Sequence, residues 1–194
     1  SQAGWLVRIK KGVYQVADLA SLGTVTLSSY AVAQILAPDS YVSFEAALQF
    51  HGLHDQLMRN TASVALKQRQ TVVVQGISYQ FVKTAPKYFY GYEQQIFDGQ
   101  LAQIATTEKA LIDMIQLHRS YHSADRVAEI LTGSSHELDM RRFEEYLLLA
   151  NLTTQRIFGF WFDRIGIDFD PNLALRARSG QAASRLTAGS RNYD

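Results

Sequence analysis

Residues 5 to 16 (WLVRIKKGVYQV) set apolar Leu6, Ile9, Val13 and Val16 around Lys10-Lys11-Gly12. Two β-prone runs flanking a Gly-containing basic tip predict a short hairpin. Residues 26 to 37 then read as a helix, ended by Pro38 and Asp39. A second short helix is predicted over Ser43 to His51, with Phe44, Ala47, Leu48 and His51 on one face and Gly52 as its stop. Ser43 suits the N-cap, and Ala46 three positions on excludes a capping box. The period then shifts from helical to alternating. Ala62 to Leu66, a hairpin over Thr71 to Val82 turning at Gln75-Gly76, Lys87 to Glu93, and Gln100 to Ala105 are predicted strands.

From Thr106 the pattern is helical to the end of the patterned region. Thr106 or Thr107 caps a helix running to about His118, with Ala110, Leu111, Met114, Ile115 and His118 as its stripe. Further helices are predicted over Arg126 to Leu131, Met140 to Ala150 and Gln155 to Gly166. The expected fold class is α+β: a small, mostly antiparallel sheet of roughly four to six strands, packed with helices and followed by a helical carboxy-terminal half. Residues 1–20 are assigned to the hairpin, 21–170 to an α/β body, and 171–194 to a poorly ordered basic tail with Arg176, Arg178, Arg185 and Arg191 among small residues.

Composition narrows the function classes. The 194 residues hold 19 Lys and Arg against 18 Asp and Glu, a net charge of +1. Any nucleic-acid contact must therefore come from a local patch. Residues 1 to 16 contain Arg8, Lys10 and Lys11 and no acid, so the start of the chain is such a patch. The absence of cysteine excludes disulfides, thiolate metal sites and a cysteine nucleophile, and fits a reducing, cytoplasmic location. The uncharged stretch from Leu19 to Pro38 carries Ser21, Gly23, Thr24, Thr26, Ser28, Ser29 and Gln34, too polar for a spanning helix. No membrane partner is expected.

Candidate chemistry is sparse. His118 and His122 share a helix face, with Asp125 as a third metal ligand, or they mark a helix terminus. Lys109 and Asp113 form an i,i+4 pair that reads as a solvated helix face. Glu108 and Asp113 point over 100° apart on an ideal helix, which opposes a catalytic carboxylate pair. Glu108-Lys109 also lacks the intervening residue of an acid-x-lysine nuclease signature. Ser43 and His51 lie two turns apart and cannot meet as nucleophile and base. No phosphate loop, dinucleotide glycine pattern or zincin helix is present. The run Tyr88, Phe89, Tyr90, Tyr92 reads as sheet aromatics, or as a stacking platform served by Lys83 and Lys87. No cofactor and no metal are expected, and the chain is read as a non-enzyme.

Three phrases occur in order: LVRIKKGVYQV, YVSFEAALQFHGL at 41 to 53 and IATTEKALIDMI at 104 to 115. Together they resemble the AbiEi antitoxin family of transcriptional regulators, over roughly residues 4 to 165. The resemblance implies an amino-terminal winged helix that binds operator DNA and represses its own toxin–antitoxin, abortive-infection operon. It also implies an α/β domain that counters a nucleotidyltransferase-like toxin, in family members without a tight direct complex. With Ser1 in place of an initiating Met, the chain reads as truncated at its amino terminus, keeping the wing. Arg8, Lys10, Lys11 and Tyr14 are the DNA-contact candidates on that wing. Tyr41, Ser43, His51, Gly52, Thr106, Glu108, Lys109 and Asp113 match the family motifs, as architecture or as a functional surface. An interaction module, or an enzyme using Glu108, Lys109 or Asp113, is the alternative.

Overall fold

A computed structural model describes residues 6–16, 27–55, 59–118 and 120–169. The tail assigned to 171–194 lies outside the described residues. The chain begins with the predicted hairpin, β1 (Leu6–Lys10) paired antiparallel with β2 (Val13–Val16). Gly12 closes its turn at φ 79°, a left-handed conformation that glycine adopts without cost. The hairpin is docked on the body, with Ile9 only 5% exposed within the main core.

Helix α1 (Ser29–Leu36) starts where Ser28 Oγ accepts the Tyr30 amide, inside the predicted helical range. It packs on β3 (Ser40–Val42), β4 (Asn60–Ala65) and β8 (Gln100–Ala105). With β5 (Val72–Val74), β6 (Ile77–Lys83) and β7 (Tyr92–Phe97), these form a six-stranded sheet in the order β5-β6-β4-β3-β8-β7. The β5–β6, β3–β4 and β7–β8 pairs are antiparallel, and β4–β6 and β3–β8 are parallel, so the sheet is mixed. Both tight hairpins use turns with two left-handed residues, Gln75-Gly76 (φ 51° and 78°) and Asp98-Gly99 (φ 52° and 73°). That geometry matches the twist of the flanking strands.

Three sequence expectations need correction. The central strand β3 is absent from the predicted elements, because three residues between Pro38-Asp39 and a helix are too few to show a period. The strand predicted at Lys87 to Glu93 begins only at Tyr92. Pro86, which cannot donate to a ladder, opens a short 3₁₀ turn, Pro86–Tyr88, in its place. The helix predicted at Arg126 is α4 (Tyr121–Gly133), started five residues earlier by Ser120 Oγ accepting the Ser123 amide.

Helix α2 (Phe44–Phe50) packs on β4 and on α3 (Thr107–Asp113), which is capped by Thr106 and continues as a π-helical turn, Met114–His118. Helix α5 (Met140–Leu149) covers α3, and α6 (Leu152–Ile165) ends on left-handed Gly166. Phe143 of α5 meets Phe158 and Phe162 of α6 edge-on, filling the helical half of the core. The architecture is α+β: among the described residues, six helices accompany one mixed six-stranded sheet and a docked hairpin.

Candidate functional site

Four of the candidate residues, Tyr41, Ser43, Lys109 and Asp113, converge inside the protein. Lys109 and Asp113 are both 0% exposed. The expected solvated face is therefore wrong: α3 is enclosed by α2, β8 and α5, and its charged side chains are buried with it. Lys109 Nζ donates to Asp113 Oδ1. Asp113 Oδ2 accepts from Tyr41 Oη at 3.0 Å and from Ser43 Oγ at 2.8 Å. The Lys109 ammonium also lies 4.5 Å from the Tyr90 ring centroid. Burial pushes the Asp113 carboxyl above the ordinary carboxylate range, and the Lys109 charge with the Ser43 and Tyr41 hydroxyls offsets it in part. Burial and the neighbouring Asp113 hold the Tyr41 phenol well above its usual value.

Ser43 occupies the N-cap position of α2, as its sequence place suggests, but its side chain makes no capping bond. Its hydroxyl is committed to Asp113 instead. Next to it, Phe44 takes φ 58°, a conformation that costs a non-glycine residue about 1–3 kcal/mol. The junction is held on its other side by His118, whose ring stacks on Phe44 at 4.0 Å. Gly91 completes the enclosure. A Cβ there would sit 2.9 Å from Tyr146 and 3.0 Å from Lys109, so only glycine lets this backbone close over the buried pair.

His51, Thr106 and Glu108 face a cleft of about 350 Å³, lined also by Thr107 and Arg142 among others. Glu108 and Asp113 diverge, as the helical spacing requires. Glu108 accepts from Arg142 Nε at 2.9 Å and from the Asp139 amide at 3.0 Å, while Asp113 stays with Lys109. Burial opposes the Arg142 charge, but the bond and charge of Glu108 outweigh it and raise its pKa. His51 Nε2 lies 2.8 Å from the Ala105 carbonyl oxygen, tying the end of α2 to β8. Gly52 follows in a left-handed conformation, φ 80°.

The aromatic run is embedded rather than free to stack on bases. Phe89 and Tyr92 pack around Tyr41, each with its centroid 5.0 Å away, and Tyr90 Oη donates to the Tyr146 carbonyl at 2.9 Å. His118 and His122 do not form a metal site with Asp125. Among the described residues no group of three His, Asp or Glu could hold an ion. His54 is 5% exposed, and neither of its ring nitrogens has a hydrogen-bond partner among the described residues. Burial, then Arg126, holds its pKa below the usual imidazole value, and burial does the same for His118.

Both rings are thus favoured neutral in the folded protein, and the unfolded chain binds their protons more readily. Their contribution is whole above the unfolded pKa of about 6.5 and is lost as pH falls below it. Thermal melts should show a falling midpoint from pH 7.5 to 5.5, and His54→Gln should flatten that fall. A midpoint unchanged over this window would contradict the neutral assignment.

The exposed cations lie elsewhere. Arg8, Lys11 and Tyr14 of the hairpin are exposed, while Lys10 is half-buried and donates to the Ile35 carbonyl of α1. Sequence reasoning missed a second basic group. Residues 56–92 contain Arg59, Lys67, Arg69, Lys83 and Lys87 and no Asp or Glu. The topology gathers three of them, Lys67, Arg69 and Lys83, at one end of the sheet. Ser40 pairs with Ala65, Ala65 pairs with Lys83, and Arg69 binds Asp39. Helix α1 runs out at this same end, where the Ala37 carbonyl accepts Ser40 Oγ at 2.6 Å. Lys67 and Lys83 are exposed there, and Lys87 is exposed on the connection that leads on from β6.

No family model matches this chain, and no curated protein matches it. No helix among the described residues is long and apolar enough to cross a membrane.

Proposed function

We propose that this protein is a cytoplasmic DNA-binding regulator, the antitoxin and transcriptional autorepressor of a toxin–antitoxin operon of the AbiEi type. The observation that carries the reading is the pairing of two cationic groups at one end of the molecule. Exposed Arg8 and Lys11 sit on a hairpin docked at the end of α1, and exposed Lys67 and Lys83 lie at the sheet end into which α1 opens. Residues 56–92 carry no acid, and of the acids that share that end Asp39 is paired with Arg69, which leaves Lys67 and Lys83 available to phosphates. Such a surface neutralises phosphates and positions a duplex, while base readout belongs to a helix preceding the hairpin.

The reading involves no catalysis. Both Asp113 oxygens are engaged by side chains of the protein, Lys109 is sealed beneath Tyr90 and Gly91, and Glu108 is held by Arg142. Lys109 and Asp113 are sealed from solvent, and Glu108, which lines the cleft, has its carboxylate committed to Arg142 and the Asp139 amide. The motif blocks act as architecture that holds α2 against α3 beside the sheet. The operon partner is a nucleotidyltransferase-like toxin, countered functionally.

The test is a mobility-shift titration of the full-length protein on the DNA upstream of its own reading frame, with a shuffled duplex as competitor. Preference for the upstream DNA of at least about 10³-fold is expected for a specific regulator. Equal binding to both duplexes would defeat the reading.

A further inference from the structure

Lys10 stands apart from the other cations of the hairpin. Arg8 and Lys11 are exposed, but Lys10 is half-buried with its Nζ on the Ile35 carbonyl. Ile35 lies in the last turn of α1, where carbonyls lack intrahelical partners and the helix dipole is negative. That turn carries no basic residue of its own, so the hairpin supplies the cation.

The hairpin is built to deliver it. Its register slips between Arg8 and Lys10: Arg8 pairs with Tyr14 and Lys10 with Val13, leaving Ile9 as the extra residue of a bulge. In a regular strand Ile9 and Lys10 would point to opposite faces. The bulge re-aims one side chain, and both residues reach the body, Ile9 into the core and Lys10 onto α1.

We propose that Lys10 is a positioning residue, a latch that fixes the hairpin on the end of α1 so that Arg8 and Lys11 face one duplex together with Lys67 and Lys83. It acts through the Ile35 carbonyl and does not contact phosphate. The DNA part of this inference rests on the function proposed above; the latch itself does not.

Two measurements on the full chain, with Lys10→Met and Lys11→Met, separate the roles. The first is amide hydrogen exchange over residues 6–16 without DNA, with β4 and β6 amides as the control for an intact core. Lys10→Met should speed hairpin exchange about tenfold or more, the effect of losing one charge-assisted bond, and Lys11→Met should leave it unchanged. The second is the salt dependence of binding to a non-specific duplex. Lys11→Met should lower the slope of log K against log salt by about 0.9, the value of a single neutralised phosphate. Lys10→Met should weaken binding with the slope retained. Hairpin exchange unaltered in Lys10→Met, or a slope loss equal to that of Lys11→Met, would overturn the latch. Wild-type protein that binds no duplex would sink the DNA-binding reading, and the exchange result would still decide the latch.

Discussion

Replacing Asp113 with Ala should cost about 3–5 kcal/mol, the range for breaking a buried ion pair by removing one partner. The Lys109 ammonium would be left 0% exposed without a counter-charge, and the Tyr41 and Ser43 hydroxyls would lose their acceptor. Domains of this kind are stable by about 5–15 kcal/mol, so the loss is about a fifth or more of the total. Ser43 also anchors the junction at which Phe44 holds φ 58°, so α2 should loosen first. Urea unfolding of Asp113→Ala, Lys109→Met and the double variant checks this. The double variant should lose less than the sum of the singles, because no unpaired charge remains. An Asp113→Ala loss under about 1 kcal/mol would mean that the pair is not the anchor described.

How much of this is legible in the sequence depends on the range of the interaction involved. The basic hairpin, the turn at Gln75-Gly76, strand β8 and the cap at Thr106 are local features, and each lies where local chemistry puts it. Asp98-Gly99 carries the same turn signal and closes the β7–β8 hairpin, but the strand before it starts at Tyr92 rather than at the expected Lys87. The burial of Lys109 and Asp113 is not legible. Spacing alone makes them a surface pair, and their other partners, Tyr41 and Ser43, are about seventy positions away. Only the packing of α2 against α3 brings these residues together. The second basic group is hidden for a related reason. Its cations are scattered along residues 56–92 too thinly to read as a charge run, and the parallel β4–β6 pairing assembles them. The missing acids between Asp55 and Glu93 are the one sequence signal that could have found it.

Neutralising that surface should have the larger effect on function. Converting Arg8, Lys11, Lys67, Lys83 and Lys87 to Gln removes five cations that are all exposed, so stability should change little. Duplex affinity should fall by orders of magnitude at low salt, because counterion release dominates such binding. The loss should be nearly uniform across sequences, since phosphate contacts carry no base information. Either half of the set, the hairpin pair or the three lysines of residues 56–92, should give a partial loss if both grip one duplex.

The most direct measurement is the slope of log K against log salt for wild-type and five-fold variant proteins on the same duplex. The account predicts a slope shallower in the variant by about four to five, near 0.9 for each phosphate that the variant no longer neutralises. Equal slopes in the two proteins would contradict it, because these five cations would then not be what meets DNA.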